Sequence, residues 1–185
     1  MRVPKALSKD VRWVPHAPEA AAAAIPMLDA PAAEALGFGS GLGAVTSLLE
    51  WLAEVAEGKF PRTVVGGISW RGLWVGFTVC SIGEVPESKT ATILAFYLLP
   101  EWRKTGVAPV AYHKMLSRLF SERAQRVEWE IPTTRKDLLL QSRRAGFVKE
   151  GVRVGCRYVD SQVKDTALFR STKREFYKGG ASCAA

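Results

Sequence analysis

The spacing of apolar positions changes twice along the chain, and the changes predict its elements. Val11–Val14 is a short extended run ended by Pro15 and Pro18, and the Ala-rich stretch 19–24 is predicted helical, with Pro18 suited to its first turn. Residues 26–43 mix Pro, Ala and Gly and are expected to form a loop. Val45, Leu48, Leu49, Leu52, Val55 and Ala56 then recur at helical spacing, an amphipathic helix stopped by Gly58 whose start Thr46 or Ser47 would cap. From Thr63 the pattern becomes extended. Thr63–Ser69, Leu73–Ser81 and Thr90–Leu99 are rich in Val, Ile, Thr, Phe and Trp. With turn residues at 70–72 and 84–88 between them, they predict three consecutive antiparallel strands. Pro100 ends the third, since proline cannot donate to a ladder. Helical spacing returns over Val107–Phe120. Arg126–Ile131 alternates Val127, Trp129 and Ile131 on one face with Glu128 and Glu130 on the other, which predicts a strand. A short helix at Lys136–Ala145 stops at Gly146, and Phe147–Val159 and Asp165–Arg174 predict two final strands paired with each other.

Composition narrows the class. With 48% hydrophobic and 24% charged residues in 185, the chain is globular, which excludes disorder, collagen-like repeats and a disulfide scaffold. The length predicts one domain, 1–185, with its core over about 11–176 and a tail at 177–185. No apolar run approaches the roughly 18 residues that cross a bilayer, and Lys5 and Lys9 are not followed by the apolar stretch of a secretory signal. No membrane partner is expected. Cys80, Cys156 and Cys183 are odd in number and widely spaced, which predicts reduced thiols in a cytoplasmic protein, Cys80 and Cys156 acting as small core hydrophobes. His16 and His113 cannot complete a metal cluster with them, so no metal is expected.

Charge changes the picture more. Residues 1–92 carry 8 Lys/Arg against 9 Asp/Glu, whereas residues 93–185 carry 18 against 9. A basic C-terminal half implies an anionic partner, a phosphate-bearing cofactor or nucleic acid. The segment Leu98-Leu99-Pro100-Glu101-Trp102-Arg103-Lys104-Thr105-Gly106-Val107-Ala108 joins a predicted strand to a predicted helix. Small residues at Gly106 and Ala108 let a diphosphate approach the unpartnered first amides of that helix, and Arg103 and Lys104 add positive charge. Neither GxxxxGK[ST] nor GxGxxG is present, so this is neither a Walker loop nor a dinucleotide fingerprint.

The segment resembles the acetyl-CoA-binding motif of the GNAT superfamily, the acetyl-CoA-dependent N-acyltransferases, whose pattern Gln/Arg-x-x-Gly-x-Gly/Ala is matched by Arg103, Gly106 and Ala108. The predicted element order follows that of the family. The stretch Arg143-Arg144-Ala145-Gly146-Phe147-Val148-Lys149-Glu150-Gly151 is similar to the family's basic-x-Gly-Phe-x-x-Glu-Gly segment. Asp165, Phe169 and Glu175 are similar to the end of the branch that acetylates ribosomal-protein N-termini.

The resemblance implies an α/β chain of the α+β type, a mixed but mostly antiparallel central sheet flanked by about four helices. It implies acetyl-CoA as the acyl donor, pantetheine bound by backbone groups near Phe96, Tyr97 and Leu98, and diphosphate bound by amides across Lys104, Thr105, Gly106, Val107 and Ala108 with charge from Arg103. It also implies direct transfer to an amine, with Glu130 as the proton-removing base and Glu128 as second choice; Tyr97 is read as either facing the thioester or lying in the core. The basic side chains of Arg118, Arg123, Arg126, Arg143 and Arg144 are candidates for the adenosine 3′-phosphate. The family's usual strand glutamate is Thr92 here, its pantetheine-contacting Asn is Arg135, its general-acid Tyr is Ser142, and a serine used in one subgroup is Leu138. These substitutions leave open a second reading, a catalytically degenerate member serving as a binding or structural component of a larger assembly such as a phage particle. Nucleic-acid binding through the basic half is less favoured, because stacking aromatics are not interleaved with the basic residues. The amine acceptor is not named by any motif, and a homodimer or larger assembly is left open. Trp51, Trp70, Trp74 and Trp129 are expected to be packing residues, and His113 a half-buried surface residue of its helix.

Overall fold

A computed structural model describes residues 9–17, 19–20, 23, 42–83, 89–159 and 162–180. Its elements are β1 (Val11–Pro15), α1 (Leu42–Ala56), β2 (Thr63–Trp70), β3 (Leu73–Ile82), β4 (Thr90–Leu98), α2 (Val107–Glu122), β5 (Arg126–Pro132), α3 (Lys136–Arg144), β6 (Val148–Val159), β7 (Gln162–Thr172) and α4 (Lys173–Gly180). The strands form one mixed sheet in the order β1-β2-β3-β4-β5-β7-β6, antiparallel everywhere except between β4 and β5. This α+β arrangement is the expected fold class.

Local chemistry accounts for most boundaries. The β2–β3 hairpin turns on Arg71 and Gly72, both at positive φ (49° and 87°), the two-residue turn whose twist matches the flanking strands. α1 buries Leu48, Leu52 and Val55 at helical spacing against one face of the sheet, with Val65, Phe77, Val79, Ala95, Tyr97 and Leu99. α2 buries Val107, Ala108, Ala111, Tyr112, Met115, Leu116, Leu119 and Phe120 against the other face, where Ile93, Phe96, Val127, Trp129 and Phe169 meet it. The sheet is therefore covered on both faces, and consecutive β4 residues feed opposite cores.

The structure corrects several expectations. α1 begins by Leu42, so Thr46 and Ser47 lie within it rather than at its cap, and Gly43 belongs to the helix rather than the loop. Most of the expected loop at 26–43 and the turn at 84–88 lie outside the described residues. The last strand ends at Thr172. Lys173–Gly180 is a helix and not strand end plus tail, because Thr172 and Glu175 form a capping box: the Glu175 amide donates to Thr172 Oγ1 (3.3 Å), and the Thr172 amide and hydroxyl donate to Glu175 Oε2 (3.2 and 2.7 Å). α4 lays Phe176 on Phe120 and His113, with ring centroids 5.3 and 4.9 Å apart, which closes the α2-side core while His113 itself stays exposed. Cys80 is buried as expected, but Cys156 is exposed on edge strand β6.

Candidate functional site

β4 and β5 are paired only from Thr90↔Arg126 to Ile93↔Trp129. Past that point each keeps its other neighbour: Ala95–Leu98 stay paired with β3, and Glu130–Pro132 with β7. The two parallel strands thus diverge, opening a wedge in the sheet. A register shift marks the cause, since Val79 faces Ala95 while Cys80 faces Ile93, which leaves Leu94 bulged out of β4 and 44% exposed. A bulge bends its strand, and this one lies one residue beyond the last β4–β5 pair.

The ladder decides which peptides face the wedge. The Leu99 amide donates to the Val75 carbonyl at 3.0 Å. Antiparallel alternation then commits the peptide groups of Ala95 and Tyr97 to β3 and turns those of Phe96 and Leu98 toward β5. Of the three backbone positions expected to contact pantetheine, Phe96 and Leu98 line the opening. Tyr97 has a buried side chain, 5.6 Å from the Phe77 ring, and the Arg103 guanidinium lies 5.4 Å over its own ring. The Arg103 Nε also donates to the Leu98 carbonyl at 3.1 Å, so Arg103 clamps the end of β4.

The connecting loop delivers the chain to the wide end of the wedge. Pro100–Trp102 is a single 3₁₀ turn, Thr105 donates its hydroxyl to the Trp102 carbonyl at 2.7 Å, and Lys104 and Gly106 both have positive φ (64° and 89°). Gly106 is the N-cap of α2, and the left-handed conformation there is what requires glycine. No side chain caps this 16-residue helix and its first turn holds no acidic residue. Val107 and Ala108 point their side chains into the core, leaving their amides at the helix terminus. Pro109, unremarked in the sequence reading, removes one donor from that set. The positive end of a long helix, flanked by Lys104 and Arg103, meets the wide end of the wedge, a geometry suited to an anion with a tail.

Glu130 immediately follows Trp129, the last β5 residue paired with β4, and so stands at the start of the wedge, on the α1 face of the sheet. Its carboxylate accepts from Arg153 at 3.0 Å. Glu128 lies one step deeper, directly across from Thr92, which places a carboxylate beside the position where the family's strand glutamate was missing. It pairs with Arg126 at 2.6 Å within a network that joins Arg126 to Glu150 and Arg170 to both Glu150 and Glu175. Arg135 opens α3, but its guanidinium grips Asp137 in a two-bond fork (3.0 and 2.8 Å), which holds the Asp137 carboxyl below its usual range. Ser142 is buried and donates to the Leu139 carbonyl at 3.0 Å.

Two of the basic side chains considered for the adenosine 3′-phosphate are ion-paired. Arg118 lies twelve residues along α2 from Gly106, about 18 Å at the helical rise, and is paired with Glu122, while Arg126 sits at the closed end of the wedge and is also ion-paired. Arg143 and Arg144 are in the last turn of α3, where they offset the dipole. Among the described residues, no three His, Cys, Asp or Glu side chains converge as a metal site, and no helix is long and apolar enough to cross a membrane.

A buried tyrosine also stands beside the wedge. Tyr112, in the core stripe of α2, stacks on Phe96 with centroids 3.9 Å apart and interplanar angle 14°, and lies 5.2 Å from Trp129, the ring at the point where β4 and β5 part. Its signal in the sequence was a single phenol in an otherwise apolar helical stripe.

Solved structures share this fold. An enzyme described as a probable GNAT-family acetyltransferase, from Chromobacterium violaceum ATCC 12472, superposes with a TM-score of 0.76 at 22% identity, over 91% of this chain and 85% of its own. Spermidine N-acetyltransferase from Vibrio cholerae, solved with CoA and spermine, gives 0.74 at 11% identity over 91% and 99%. The Salmonella typhimurium acetyltransferase that modifies the N-terminal serine of the 50S ribosomal protein L7/L12 gives 0.73 at 12% over 92% and 98%. No curated protein matches the sequence. The acetyltransferase (GNAT) family model matches residues 42–144, more than half of the chain and everything from α1 through the wedge to the end of α3, and the chain belongs to that family.

Proposed function

We propose that the protein is an N-acyltransferase that moves an acetyl group from acetyl-CoA directly to an amine of a protein or small molecule. The observation that carries this reading is the coincidence of the β4–β5 wedge with the uncapped, basic-flanked N-terminus of α2. Membership of an acetyltransferase family and the CoA bound in a structural neighbour support it.

Each chain group has a role on this reading. The amides of Gly106, Val107 and Ala108 hold the diphosphate, with Lys104 adding charge. The peptide groups of Phe96 and Leu98 hold the pantetheine arm as an added strand in the wedge, and the Phe96 amide polarises the carbonyl that it meets there. Acetyl-CoA, when bound, supplies an acyl thioester activated toward amines. Glu130, where the wedge begins, takes the proton from the acceptor ammonium, and Arg153 orients its carboxylate. Glu128 is the second candidate for that proton. Holding amine and thioester in reach supplies several kcal/mol of the rate enhancement, so no covalent nucleophile is required. Resemblance to the ribosomal N-terminal branch points to an exposed amine of a protein as acceptor, and the spermidine enzyme points equally to a polyamine.

Calorimetric titration with acetyl-CoA, with adenosine diphosphate as control, tests donor binding; absence of heat from a folded protein overturns the reading. Glu130→Gln, which still offers Arg153 an acceptor, is expected to lower turnover by about 10²–10⁴-fold and leave acetyl-CoA affinity unchanged. Unaltered turnover would remove Glu130 from the reaction.

A further inference from the structure

We propose that the hydroxyl of Tyr112 is a hydrogen-bond donor to the acyl thioester lodged between β4 and β5, an inference that rests on the acetyl-CoA reading of this site. Tyr112 is fully buried and its hydroxyl makes no hydrogen bond to any described group. An unpaired buried hydroxyl destabilises a fold, so a phenol kept in an otherwise apolar stripe calls for a partner that arrives from outside.

The surroundings say where that partner sits. The Tyr112 ring is stacked on Phe96, whose peptide groups face the wedge, and is close to Trp129, the last residue before the wedge opens. Tyr112 follows Gly106 by six residues, about 9 Å along the helix axis. A ligand whose diphosphate rests on the α2 N-terminus and whose arm runs between the strands must pass Phe96, the residue on which the Tyr112 ring is stacked, to reach the point where they part.

The phenol holds its proton rather than giving it up. Burial, with Asp137 nearby, pushes its ionisation well above the ordinary tyrosine range. It therefore remains an O–H donor throughout the working pH range and is a poor general acid. A fixed donor of this kind binds the thioester and does not titrate with turnover.

The variant Tyr112→Phe keeps the ring and its stack and removes only the hydroxyl. The expected results are a ligand-free melting temperature unchanged or raised and affinity for acetyl-CoA lowered about three- to tenfold, the range of a neutral hydrogen bond. Affinity for CoA without the acyl group should be altered less than about twofold, and the shape of the pH–rate profile should be preserved. Unchanged affinity for acetyl-CoA overturns the proposal and leaves the hydroxyl to an internal water. Equal losses for acetyl-CoA and CoA overturn it too, by placing the acceptor atom outside the acyl group. In the wild-type protein, ¹³C-labelled tyrosine provides an independent check: the buried ring's Cζ resonance should respond to acetyl-CoA and not to CoA, and an identical response to both refutes the assignment. Absence of acetyl-CoA binding in the wild type would defeat the donor reading and this inference together, an outcome distinct from a Tyr112→Phe protein that binds as the wild type does.

Discussion

Replacing Thr105 by Asp sets a carboxylate beside the α2 N-terminus, at the place where the diphosphate is proposed to rest. Without ligand the change is nearly balanced. An anion near the positive end of a helix stabilises by about 0.3–1 kcal/mol, while losing the Thr105–Trp102 hydrogen bond costs about 0.5–1.5 kcal/mol. The net, within about 1 kcal/mol, moves the melting temperature by no more than roughly 4 °C. With ligand the effect is one-sided. Two diphosphate charges roughly 6 Å away repel the carboxylate by about 2.8 kcal/mol at an effective dielectric constant of about 40. Screening over that distance at physiological salt roughly halves this, to about 1.3 kcal/mol or tenfold in Kd. Calorimetric titration at about 0.01 M and 0.15 M salt, with Thr105→Asn as the neutral control, reads both magnitude and mechanism. The penalty should grow toward a hundredfold at low salt and be absent in Thr105→Asn. Equal affinities for the two variants would refute the assignment of the anion to this turn.

Other expected outcomes test the frame around the site. Gly76 lies against β4 where a Cβ would press on the Tyr97 carbonyl and come 2.8 Å from Leu98 Cδ2, so Gly76→Ala should cost about 1–3 kcal/mol, a fall of roughly 3–10 °C in scanning calorimetry; a melting temperature within about 1 °C of wild type contradicts this. Arg170, with the Thr172 hydroxyl, holds the Glu175 carboxyl down to about 2. Its folded value lies below its unfolded one, so the stability it contributes is present above about 4.5 and is lost as the pH falls toward about 2. Glu175→Gln should flatten that limb of a stability–pH curve, and parallel curves would discount the pair. Cys80 is buried with its thiol pushed up to about 12, so a thiol reagent should label exposed Cys156 in the native protein and reach Cys80 only on unfolding.

How much of this was readable in the chain depends on the range of the forces involved. Strand alternation in Arg126–Ile131, the 3.6-residue spacing of α1 and α2 and the prolines that end strands are local, and they placed most elements within a few residues. The α2 N-terminus was legible for the same reason: a glycine and a small residue behind basic side chains state both the turn and its charge. Two misses were local and avoidable. Thr172 and Glu175 spell a capping box, and Pro109 is visible within the motif.

The remaining features required the tertiary structure. The wedge exists because β4 pairs with β3 on one side and β5 with β7 on the other, and because the bulge at Leu94 changes the ladder's register. Periodicity cannot report which strand adopts which neighbour. Pairing parity, not residue type, turned Phe96 and Leu98 to the opening and Tyr97 away. Glu122, Glu128 and Glu150 pair with Arg118 and Arg126, arginines that net charge had left available. Tyr112 shows the limit most clearly. In the sequence it is one apolar-stripe position among many, and only packing buries its hydroxyl without a partner beside a gap between two strands.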